Sequence, residues 1–86
     1  MPEVSRFFGI EIKMYWEDHN PPHFHAVYGE NMVLVDISAL RTFAGTLPAR
    51  ALGLVIEWAA LHQNELRANW ERARRQDSIE KIAPLQ

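Results

Sequence analysis

Between Phe8 and Tyr15 apolar and polar positions alternate. Phe8, Ile10, Ile12 and Met14 fall on one side, and Gly9, Glu11, Lys13 and Tyr15 on the other. A period of two belongs to a strand with one buried face and one wetter face. Glu17 to Pro22 then collects acidic residues, His19, Asn20 and two prolines. Proline lacks an N–H and turns its predecessor away from helix, so this stretch predicts a loop. HFHAVY predicts a second strand, with Phe24, Ala26 and Tyr28 toward the core. MVLVDI, dense in β-branched residues, predicts a third. Gly29-Glu30-Asn31 between them reads as a tight turn, which makes these two strands a hairpin. Thr42 to Gly45 is a candidate short fourth strand.

From Leu47 the period changes. Leu52, Val55, Ile56, Ala59 and His62 recur at three-to-four spacing, widened by Trp58 and Leu61, and Leu66, Trp70 and Ala73 continue it. Thr46 is a candidate cap and Pro48 suits a first turn. One helix from Pro48 to Arg75 would run about 42 Å at about 1.5 Å per residue. A body of this size does not accommodate that length, so the helix is expected to break near Gln63, with Asn64 as the next cap. The tail, IEKIAPLQ, reads as extended, with Ile79, Ile82 and Leu85 tucked inward. The predicted fold is α+β, an N-terminal three- or four-stranded antiparallel sheet followed by two helices packed on one face. Residues 1–86 are expected to form one domain.

Composition narrows the function classes. The chain has 86 residues, 48% hydrophobic and 23% charged, which excludes a disordered polyelectrolyte. It has no cysteine, so disulfides, thiolate metal sites and cysteine nucleophiles drop out together. A formal net charge of −2 gives no global field for nucleic acid. Arg67, Arg72, Arg74 and Arg75 do crowd the end of the second helical stretch, a local patch that leaves nucleic acid open as a partner. MPEVSRFFGIEI lacks the basic start and long apolar run of a secretory leader, and no run suits a membrane span. The expected setting is cytoplasmic, without membrane contact.

The candidate chemistry sits in DHNPPHFHAVYGE, Asp18 to Glu30, which holds three of the four histidines. His23 and His25 are two apart in a strand, so both imidazoles leave one face, opposite the helices or at the rim of the sheet. His19 stands across the Pro21-Pro22 loop and can fold back toward them. Asp18, His19, His23, His25 and Glu30 are therefore the candidate ligand-binding residues. His19, His23 and His25 are candidate ligands for a divalent transition metal, because zinc, nickel, iron and copper accept neutral imidazole. The spacing of His23, His25 and Glu30 is similar to the first metal motif of cupins, but the helical second half does not fit a jelly roll.

Two other readings stand beside that one. Imidazole exchanges protons near neutral pH, so His23 and His25 could act as acid and base on RNA, with Lys13 or Arg6 steadying phosphate charge. Alternatively the histidines only lock the proline loop through hydrogen bonds, and the chain is a plain protein-interaction domain.

PEVSRFFGIEIKMYWEDHNPPHFHAVYGE, TLPARALGLVIEW, ELRANWERAR and KIAPL together resemble a family of small bacterial proteins, domain of unknown function 4160. The most specific parts are Arg6-Phe7-Phe8-Gly9, Asp18 to Glu30, Leu47-Pro48, Glu57-Trp58 and Asn69-Trp70. The resemblance implies a stand-alone cytoplasmic domain with a protein partner encoded nearby, in a toxin–antitoxin-like or regulatory pair. It brings no catalytic residues with it.

Overall fold

A computed structural model describes residues 3–16 and 18–86. Five strands run in chain order: β1 (Glu3–Phe7), β2 (Ile10–Lys13), β3 (His23–Tyr28), β4 (Asn31–Asp36) and β5 (Thr42–Gly45). They form one antiparallel meander in which each strand pairs with the next in sequence. Two helices follow, α1 (Ala49–Leu61) and α2 (Gln63–Arg74). The α+β class, the N-terminal sheet and the two helices agree with the sequence pattern.

The strand count does not agree. The alternation begun at Phe8 is interrupted immediately. Phe8 and Gly9 both take positive φ, 50° and 80°, and Phe7 pairs directly with Ile10. That is a two-residue hairpin turn of the kind usually built from Asn-Gly. Glu3 to Phe7 thus becomes a separate strand, with Val4 and Phe7 on the core side. The β3–β4 hairpin forms as expected, with Tyr28 opposite Asn31 across Gly29-Glu30.

One apolar cluster lies between the sheet and the helices. Ile10, Ile12 and Met14 enter it from β2 and the residues after it, Phe24 and Ala26 from β3, and Val33 and Val35 from β4. Trp58 of α1 is its centre, with ring centroids 5.4 Å from Phe7 and 5.8 Å from Phe24. Tyr28, expected in the core, ends β3 and is 38% exposed. Gly45 is fixed by close approach. Its φ is +76°, and a Cβ there would stand 2.1 Å from the Met32 carbonyl oxygen.

The helices divide at His62, one residue before the expected break. The longest dimension of the molecule is 33 Å, shorter than the unbroken helix would be. Pro48 occupies the N-cap of α1 and His62 that of α2, so Thr46 and Asn64 do not cap. The tail beyond α2 is extended and folds back on β1. The Ile82 N–H donates to the Val4 carbonyl (2.9 Å), and Asn69, itself buried, brackets Glu80 by donating to its carbonyl (2.8 Å) and accepting from its N–H (3.0 Å). This covers the outer edge of β1. Among the described residues no helix is long and apolar enough to cross a membrane.

Candidate functional site

The connection from β2 to β3 builds the site. Its last two residues are pinned by their carbonyls. That of Pro21 accepts from His23 Nδ1–H at 2.7 Å, and that of Pro22 accepts from the Ile37 N–H at 3.0 Å, just past β4. The Asn20–Pro21 peptide is cis. Asp18 is held in turn by its own neighbour, the His19 N–H donating to Oδ1 at 3.0 Å. These contacts bring the Asp18 carboxylate over the start of β3.

There it meets two imidazoles. His23 Nε2 and His25 Nε2 each lie 3.0 Å from the same oxygen, Asp18 Oδ2. The three ligand atoms all fall within 4.8 Å of one another. His23 is 4% exposed. Its ring is 5.3 Å from Trp70 of α2, 5.4 Å from Phe43 of β5 and 5.4 Å from His25. Tyr15 stands edge-on to His25 at 4.6 Å. The cluster sits at the rim of the sheet, where α2 and β5 close over His23, while Asp18 keeps access to water.

The hydrogen-bond roles constrain what can occupy this geometry. The Pro21 carbonyl can only accept, so His23 Nδ1 carries the proton. Nε2 of a neutral His23 then presents a lone pair to a carboxylate that also only accepts. A 3.0 Å contact between them calls for either a second proton, making imidazolium, or a cation shared by both atoms. His25 differs, because its Nδ1 is buried and has no partner among the described residues. The Asp18 carboxyl is nonetheless held below the ordinary carboxylate range. Its partial burial acts to raise it, but the hydrogen bond from His25, the His19 N–H and the charges of His23 and His25 outweigh that.

The other nominated residues lie elsewhere. The side chain of His19 is exposed and stands outside the cluster. Glu30 is in the β3–β4 turn, at the far end of β3 from His23. Lys13 pairs across the sheet with His25, but its Nζ goes to Glu11 at 3.2 Å. Arg6 goes to Glu3 at 2.7 Å and Glu11 at 3.3 Å. His62 lies outside the site, bonded to Glu65 and with its ring tilted against Trp58 at 5.4 Å. Sequence reasoning missed Trp70, Phe43 and Tyr15 as neighbours of the histidines. Tyr15 carried a signal, since it lies two residues beyond the register partner of His25. Trp70 and Phe43 carried none, because tertiary packing alone delivers them.

A five-stranded meander backed by two helices, with a half-buried histidine–carboxylate cluster at one rim, defines a small α+β domain. Residues 9–71 match the family model described as Domain of unknown function (DUF4160), and the chain belongs to that family. No curated protein and no solved structure matches it significantly. The matched span contains Asp18, His23 and His25 together with the strands that position them.

Proposed function

We propose that the chain is a small metal-binding module whose Asp18, His23 and His25 hold a divalent transition metal. One observation carries this reading: two Nε2 atoms stand 3.0 Å from one carboxylate oxygen. Ligand atoms about 2.1 Å from an ion and about 90° apart would themselves be about 3.0 Å from each other. The His23 Nδ1–H bond to a backbone carbonyl is the support that metal-bound imidazoles ordinarily have, since it fixes the tautomer and aims Nε2 at the ion. Two histidines and one carboxylate leave coordination positions for water or an exogenous ligand.

Zinc and nickel titrated by calorimetry into untagged protein test it. Binding near one equivalent in wild type, lost in a His23→Ala/His25→Ala double variant, is expected. If the folded wild type binds neither metal, the cluster is an ion-paired lock for the proline loop and the metal reading fails. The ribonuclease alternative has less support. The two cations nominated to face phosphate, Lys13 and Arg6, are engaged by Glu3 and Glu11. A two-gene regulatory or toxin–antitoxin-like role would make this module one half of a complex, tested by co-purification with the product of the neighbouring gene.

A further inference from the structure

A second site lies at the other end of the sheet. The Phe8-Gly9 turn, the end of β3 and the first turn of α1 border a half-open cavity of about 290 Å³. Phe8, Tyr28, Pro48 and Leu54 are its walls, and Ile10 and Ala51, both buried, are its floor. The volume is just below the roughly 300 Å³ at which small-molecule sites begin, so it suits a single ring or a short chain.

Two features give the cavity a polarity. Arg50 is its one charged lining residue and forms no ion pair among the described residues. Pro48 leaves α1 without a side-chain cap, and the first turn holds no acid. Arg50 and the uncapped positive end of α1 therefore lie at one side of an apolar hollow, with the guanidinium in reach of it. The opposite wall is unusual in another way. Phe8 is 60% exposed and sits at φ +50°, where a bulky side chain is strained and Asn or Gly would be at ease. The ring is thus held out over the cavity at the expense of an easier turn.

We propose that this cavity binds a small organic carboxylate, with an aryl or alkyl body against Phe8, Tyr28 and Leu54 and the carboxylate on Arg50. The site does not depend on the histidine cluster, which is at the opposite end of β3.

Phenylacetate, titrated into the full chain with chelator present and followed by amide NMR, tests it. Shifts centred on Phe8, Gly9, Arg50, Ala51 and Leu54 are expected, with His23 and His25 unmoved. Phenylacetamide should bind at least about tenfold more weakly, and Arg50→Gln should bring acid and amide within about twofold of each other. Phe8→Asn separates folding from binding. Asn accepts positive φ, so the variant should melt no lower than wild type and yet lose the ligand. Absence of shifts at millimolar phenylacetate overturns the proposal, as does unchanged binding by the folded Phe8→Asn variant. A peptide with a free C-terminal phenylalanine that binds where phenylacetate does not also overturns it, and makes the hollow part of a protein-docking surface.

Discussion

His23→Ala is the substitution whose consequences the structure specifies best. It removes a ring that is 4% exposed and lies against Trp70, Phe43 and His25. It also removes the 2.7 Å bond to the Pro21 carbonyl and the 3.0 Å contact with Asp18. The lost bond to the Pro21 carbonyl contributes about 1 kcal/mol net, and the partly collapsed space left beside Trp70 adds about 1–3 kcal/mol, so the total is about 2–4 kcal/mol. His25→Ala should cost less, about 1–2 kcal/mol, because that ring is more open and its Nδ1 already lacks a partner among the described residues. Zinc acts separately. If the cluster holds zinc as proposed, the ion at about 100 times its dissociation constant should stabilise wild type by about 2.7 kcal/mol, or about 10–20 °C in a domain of this size. Both variants should lose that increment in addition to their intrinsic loss. Urea unfolding read through the buried Trp58 and Trp70, with zinc or with chelator, measures each of these. Equal zinc stabilisation of wild type and variants would place the ion elsewhere. A loss below about 0.5 kcal/mol for His23→Ala would show that its burial between α2 and β5 is wrong.

Three further outcomes follow from other contacts. The folded Asp18 carboxyl lies below its ordinary value of 3.8, so its contribution is present above that pH and is lost as pH falls through the lowered folded value. Asp18→Asn should flatten that acid limb in pH-dependent unfolding of metal-free protein, and an unchanged limb would refute the pairing. Asn69→Ala removes both bonds that bracket Glu80 and should cost about 1–3 kcal/mol. Hydrogen exchange at the Ile82 N–H should quicken well beyond that at β3, and uniform exchange would show that the tail is not tethered there. Gly45→Ala forces a Cβ onto the Met32 carbonyl at positive φ and should destabilise by more than about 2 kcal/mol, with β5 amides exposed first. Near-neutral stability of that variant would argue against the β4–β5 register.

What the sequence disclosed and what it hid follow one physical line. Periodicity reports faces, and faces were legible. HFHAVY and MVLVDI announced a hairpin, Thr42 to Gly45 a candidate further short strand, and the change of period at Leu47 a pair of helices with Trp58 and Trp70 inward. Turns are legible only when the residue type matches the backbone. Gly29-Glu30 was found because glycine marks positive φ, whereas Phe8-Gly9 was read through because phenylalanine does not. That single mismatch hid β1. The cluster shows the same division. The two-residue spacing of His23 and His25 was enough to bring their imidazoles together, and the Pro21-Pro22 loop was enough to return the chain over them. Choosing Asp18 rather than His19 or Glu30 as the third member required the Pro21 and Pro22 carbonyls to be fixed, one by His23 and one by Ile37. Those bonds join residues whose meeting depends on the finished sheet. Burial of His23 depends on α2, more than forty residues away, so no local pattern could report that its Nε2 and the Asp18 carboxylate share a half-buried space. That enclosure separates the contact from an ordinary surface ion pair. Water would screen the contact at an exposed loop, but beside Trp70 the charge between two acceptors must be supplied by a proton or by an ion.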